Sequence, residues 1–109
     1  QTGSGLARLS FMTLVSYVVT ATLPDEPLTR EYIGWLVGGH IQQVMAGGAI
    51  RAEVVRITDP AIPWRVQTRY VFETAAALER YIKEFAPALR AEGLAKFGGE
   101  LVFGAVEEV

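Results

Sequence analysis

From residue 14 to residue 23 the chain reads LVSYVVTATL, a run rich in β-branched residues that Pro24 closes. Such a run predicts a strand. Side chains alternate across a strand, so Val15, Tyr17, Val19 and Ala21 share one face and Ser16, Val18, Thr20 and Thr22 the other. The period then changes. Leu28, Tyr32, Trp35 and Leu36 recur at helical spacing. Asp25 and Glu26 before them suit the positive end of a helix, and Pro27 fits its first position. Gly38 and Gly39 interrupt this helix, a short piece resumes over 41–45, and Gly47 and Gly48 stop it. A second strand is predicted over about 49–57 and a third over about 64–72, joined by the turn-formers TDPAIP. Thr74 is placed to cap a second helix. In it Leu78, Tyr81, Ile82, Phe85 and Leu89 keep helical spacing. Pro87 lies inside that pattern and predicts a kink or a restart near Ala86. Gly98 and Gly99 end the helical region, and a fourth strand is predicted over about 101–107.

The order β-α-β-β-α-β is the split βαβ, or ferredoxin-like, arrangement. It predicts an α+β fold, with an antiparallel four-stranded sheet and two helices on one face. The more apolar strand positions should meet the helices: Val66, Thr68, Tyr70 and Phe72 in the third strand, and Ile50, Ala52 and Val54 in the second. The other face mixes Val18, Val55, Ile57 and Val71 with Glu53, Gln67 and Arg69. A sheet face open to water is usually more uniformly polar. The mixture therefore predicts burial against the same face of a second copy, a homodimer about a two-fold axis. If Thr58 lies opposite Trp64, Glu53 falls opposite Arg69. The two charges then read as an interface ion pair, with ligand binding as the alternative role for Arg69.

Composition narrows the function classes. The chain has 109 residues and a net charge of −2, and its ten basic residues are scattered among acids. That length suits one domain, assigned to residues 12–109, after a tag or flexible extension at 1–11. Nucleic-acid binding needs a basic face, which is missing. There is no cysteine and one histidine, which excludes disulfides, thiol chemistry and the common zinc sites. No metal or cofactor is expected, and the chain fits a reducing, cytoplasmic setting. The apolar run at 11–23 raises the question of a signal peptide. Its Val and Thr content and the absence of a small-x-small cleavage pattern favour a buried strand, and it is too short to span a bilayer. No membrane role is expected.

Particular residues point further. Y-V-V-T at 17–20, W-x4-H-I-x2-V-M at 35–45, R-Y-V-F at 69–72 and Y-I-x2-F-A-P-x-L-R-A-E-x-L-x-x-F-G-G at 81–99 resemble a bacterial family of small dimeric α+β barrels, described as a domain of unknown function. That family is related at fold level to antibiotic-biosynthesis monooxygenases. The resemblance runs over about residues 13–107 and implies the fold and the dimer. Position 69 is often glutamine in the family pattern, and a proline often follows the His-Ile pair; this chain has Arg69 and Gln42. The resemblance does not imply a reaction, because the fold hosts many activities.

The chemistry centres on His40. Each interior glycine costs a helix about 1 kcal/mol relative to alanine, and Gly38 and Gly39 immediately precede the histidine. One reading makes them a bend that seats a structural His40. The other turns His40 into a pocket between sheet and helices, with Trp35, Tyr17, Tyr70 and Tyr32 as its aromatic walls. An imidazole there could serve as general base toward an acidic phenol or carbon acid. The expected ligand is a small apolar or aromatic molecule. On this reading, catalysis without a cofactor, as a monooxygenase, isomerase or cyclase, is open. The alternative is a non-catalytic dimerisation or ligand-sensing module. A continuous void of about 300 Å³ touching His40 would favour binding, and a packed interior the structural reading.

Overall fold

The computed structural model describes residues 13–98 and 100–107. The extension expected at residues 1–11 and the start at Met12 lie outside the described residues, as does Gly99. Four strands, β1 (Val15–Leu23), β2 (Arg51–Ile57), β3 (Trp64–Phe72) and β4 (Glu100–Glu107), form one sheet in the order β2-β3-β1-β4. All three pairings are antiparallel. The chain has the α+β ferredoxin-like fold. Consecutive β2 and β3 pair as a hairpin, while β1 and β3 meet at the centre of the sheet.

Each expected helix is divided. The first comprises α1 (Glu26–Trp35), a π-helical turn (Leu36–His40) and α2 (Ile41–Ala46). Asp25 caps α1 by accepting a hydrogen bond from the Leu28 amide at 2.8 Å. Pro27 therefore sits second in the helix and not first, because the capping carboxylate starts it one residue earlier than expected. The second comprises α3 (Ala75–Glu84) and α4 (Ala86–Phe97). The Thr74 hydroxyl accepts from the Ala77 amide at 3.1 Å and starts α3. The chain restarts at Ala86 because Pro87 lacks the N–H that a continuous helix needs. Among the described residues no helix is long and apolar enough to cross a membrane.

The faces divide as the alternation requires except at Ile50, which precedes β2 and is 49% exposed, because the strand that would turn it under the helices starts only at Arg51. Tyr17, Val19, Tyr70 and Phe72 pack with Val44, Leu78, Tyr81 and Ala86 from the helices. Farther along the strands, Ala21, Leu23 and Val66 pack with Tyr32 and Leu36. Burying one such side chain contributes about 1.5–3 kcal/mol. On the opposite face Glu53 stands directly across from Arg69 in the β2–β3 register. Val55 on that face is 43% exposed, whereas the register partners Ser16 and Val71 are buried.

Candidate functional site

The two core clusters meet at a small, partly open cavity of about 30 Å³. Tyr17 and Val19 of β1 and Tyr70 of β3 form its floor. The helices supply Tyr32, Trp35, Leu36, His40, Tyr81, Leu89, Arg90 and Gly93. Tyr17 and Tyr70 are register partners, with ring centroids 6.4 Å apart. Tyr81 meets Tyr17 edge-on at 5.6 Å. A volume of about 30 Å³ accommodates water and not a ring system.

A second space lies outside. An open cleft of about 560 Å³ runs between α1 and α4, bordered by Leu28, Glu31, Gly34, Gln43, Glu92, Lys96 and Phe97, with Gly38 and Gly39 at its edge. Trp35 and His40 also border it. The rings of these two stack at 4.1 Å with an interplanar angle of 23°.

The position of His40 follows from the π turn. The Ile41 amide reaches back five residues to the Leu36 carbonyl, and Gly39 leaves the helix at φ 158°, ψ −32°. Only glycine adopts that conformation at low cost, and π turns of this kind are frequent at functional sites. Gly38 keeps φ on the negative side, and a Cβ at either glycine would meet nothing within 4 Å. The two glycines should therefore respond with opposite signs. Gly38→Ala should stabilise by about 0.4–1 kcal/mol, and Gly39→Ala should destabilise by more than that. Urea melts of the two single variants check this; if both stabilise, Gly39 does not need its unusual backbone.

Burial sets the protonation states. It lowers the pKa of His40, against an opposing effect of the Glu92 carboxylate, so the imidazole is neutral at pH 7. Its Nδ1 is buried and has no hydrogen-bond partner. Burial also pushes Tyr32 and Tyr81 up to about 12 and Tyr70 higher still. Tyr17 is raised by burial too, although Arg90 pulls it back. Arg90 donates to the Tyr17 hydroxyl oxygen from Nε at 3.1 Å and from Nη2 at 2.6 Å. The four phenols stay protonated at neutral pH. The site thus combines neutral hydroxyl groups, a neutral imidazole and one guanidinium.

Of the residues expected at the site, the fold brings together His40, Trp35, Tyr17, Tyr70 and Tyr32. Arg69 is not among them. It lies on the opposite sheet face, beside Arg51, Glu53 and Val71 at a depression of about 240 Å³. Strand alternation already separates it from its neighbour Tyr70. Val19, Leu36, Tyr81, Leu89, Arg90 and Gly93 line the cavity as well. Tyr81 read as core by its helical spacing. Arg90 lies in the resembling motif at 81–99, yet neither it nor Gly93 carries a local sign of a pocket role, since that depends on where α4 lands. Among the described residues no group of three or more His, Asp or Glu is placed to hold a metal ion.

Solved structures share this architecture. A dimeric ferredoxin-like protein from an uncultured marine organism superposes with a TM-score of 0.73 at 14% identity, over 89% of this chain and 96% of the other. An ethyl tert-butyl ether D (EthD) family protein from Bacillus halodurans gives 0.70 at 13% identity, over 88% and 99%. SnoaB, a cofactor-independent oxygenase from Streptomyces nogalater, gives 0.60 at 15% identity, over 89% and 94%. At these identities the likeness is one of fold. No curated protein matches by sequence. A family model described as a domain of unknown function, DUF4286, matches residues 14–107, and the protein belongs to that family.

Proposed function

We propose that the protein is a homodimer that binds a small, planar, largely aromatic molecule at the His40 site, with His40 as the group that accepts a proton. The convergence of four tyrosines, one neutral imidazole and one arginine at the junction of an internal cavity and an open cleft carries this reading. Buried polar groups beside space that a ligand can enter are the usual mark of a binding site. Trp35, Tyr17, Tyr70 and Tyr32 supply aromatic contact, and the un-ionised phenols donate hydrogen bonds. A neutral His40 is in the correct state to take a proton from a phenol or carbon acid. The corresponding activity is catalysis without a cofactor, as a monooxygenase, isomerase or cyclase. SnoaB, of the same fold, is a cofactor-independent oxygenase.

The second reading, a non-catalytic dimerisation or ligand-sensing module, has its own support. The inner cavity is only about 30 Å³, so side chains of the protein itself fill most of the space between sheet and helices. Titration with 1-naphthol, followed by tryptophan fluorescence, separates the two. The binding reading expects saturable quenching, and His40→Ala should weaken it about tenfold, the loss of one hydrogen bond to a polar ligand atom. An unsaturable response in the parent protein up to about millimolar naphthol, the weak end of specific binding, supports the packed module instead.

The dimer is proposed through the open sheet face, which would close the sheets of two copies into an α+β barrel. Its support is the mixed character of that face, with Val55 beside the opposed Glu53 and Arg69. The marine ferredoxin-like structure is likewise described as dimeric. Sedimentation at micromolar concentration should give twice the 11.9 kDa chain mass. Arg69→Ala should shift the protein toward monomer, because it strands a carboxylate that the interface would bury. A parent protein that sediments as a monomer removes the dimer.

A further inference from the structure

Among the described residues, Trp35 and His40 alone border both the inner cavity and the outer cleft. Their stacked rings stand where the two spaces adjoin. We infer that this pair is a removable partition: a planar ligand enters from the cleft between α1 and α4 and displaces the Trp35 indole, joining cleft and cavity into one site. The inference rests on the small-molecule reading above for its ligand, and on geometry alone for the partition.

Size is the first argument. A cavity of about 30 Å³ cannot take an aromatic ring, since cavities known to take benzene are about 150 Å³. The cleft, at about 560 Å³, falls within the usual range for ligand pockets. An aromatic ligand therefore reaches the tyrosines only if a lining side chain gives way, and on the cleft side that side chain is Trp35. The second argument is the setting of the pair. Trp35 is the last residue of α1, and His40 closes the π turn that follows. Gly39 in that turn has a backbone conformation foreign to other residues. Across from the indole, α4 carries Gly93, where a Cβ would lie 3.2 Å from Trp35 Cη2. Glycine weakens a helix interior, and at this point it gives the indole room against α4.

The third argument is the unpartnered His40 Nδ1. A buried polar nitrogen without a partner is uncommon and calls for an explanation. With the indole displaced, a polar group of the ligand could reach the imidazole that Trp35 now covers. The ligand class follows. Its planar body takes the place of the indole, which now packs edge-on against Phe97 at 5.4 Å and tilted against Tyr32 at 5.8 Å. Its polar end stays in the cleft among Glu31, Gln43, Glu92 and Lys96.

The chain has no cysteine, so an introduced thiol reports access cleanly. Val19→Cys places one in the cavity wall, and Val44→Cys places one in the core away from both spaces. Each is treated with methyl methanethiosulfonate, with Trp35 intact and with Trp35→Ala, and modification is followed by mass. Removing the partition should speed modification in the Val19→Cys background by about tenfold or more and leave the Val44→Cys background within about twofold, as local access without global opening requires. Equal acceleration in both backgrounds would mean that Trp35 only stabilises the fold. No acceleration in the first would mean that it closes nothing. Either result overturns the partition. If Val19→Cys does not fold, Leu89→Cys, in the same wall on α4, replaces it. A parallel 1-naphthol titration keeps the two claims apart. Selective acceleration without naphthol binding supports the partition and counts against the ligand reading; binding without acceleration does the reverse.

Discussion

Tyr70→Ala should destabilise the protein by about 3–5 kcal/mol. Tyr70 is 2% exposed at the centre of the sheet, with Tyr17 as its register partner on β1 and Ala52 on β2. It belongs to the cluster that joins β1 and β3 to α2, α3 and α4. Removing the ring deletes a large transfer term and enlarges a cavity that already exists beside it. The walls are poorly able to collapse. Tyr17 is held by Arg90 and by the edge of Tyr81, and Tyr81 by Phe72 and Phe85. A domain of this size has a total stability of about 5–15 kcal/mol, so the loss is a large share of the whole. Melting temperature should fall by roughly 12 °C or more, at about 4–8 °C per kcal/mol. Tyr70→Phe keeps the ring and should cost at most about 1.5 kcal/mol, the worth of one hydroxyl contact. Calorimetry on the two variants checks both figures. A loss below about 1.5 kcal/mol for Tyr70→Ala would mean that the ring is not packed as described.

Gly47→Ala is the second large effect, and its origin is different. Gly47 has φ −81° and ψ 0°, which any residue can adopt. The obstacle is crowding. A Cβ there would lie 2.9 Å from Tyr81 Cδ1, and 3.1 and 3.3 Å from Phe85 Cγ and Cδ2. Those rings are stacked nearly parallel, at 6.2 Å and 5°. Tyr81 is buried against Tyr17 and Phe72 and cannot retreat. Overpacking of this kind costs about 1–3 kcal/mol. The neighbouring Gly48→Ala should also destabilise, but through its backbone, since φ is +124° and the nearest side-chain atom lies at an ordinary 3.7 Å. A double-mutant cycle tells the two apart. Phe85→Leu should relieve part of the Gly47→Ala cost and none of the Gly48→Ala cost, because only the former is a contact between side chains. Additive melts for Gly47→Ala with Phe85→Leu would contradict the crowding.

These two glycines show where local reading stops. Both were legible as a helix stop, and Gly48 fits that role through its backbone. Nothing near Gly47 in the sequence announces Tyr81 and Phe85, which arrive from α3 and the break after it. The same holds for the site. Tyr17, Tyr32, Trp35, His40 and Tyr70 were legible as candidates because each is an aromatic or titratable side chain on an apolar face. Arg90 was not, since it meets Tyr17 across 73 residues of chain. Arg69, with ligand binding as its alternative role, lies on the face where strand alternation already puts it, away from the pocket.

The order of elements, the helix caps at Asp25 and Thr74, the break at Pro87 and the division of each strand into two faces all follow from neighbours within a few residues. Periodicity and capping act at that range, so the one-dimensional pattern contains them. The cavity volume, the Trp35–His40 stack, the Arg90–Tyr17 contact and the crowding at Gly47 are set by how α1, α3 and α4 land on the sheet. Close packing decides those distances to within fractions of an ångström, from the summed shapes of side chains far apart in the chain. No local pattern carries that information.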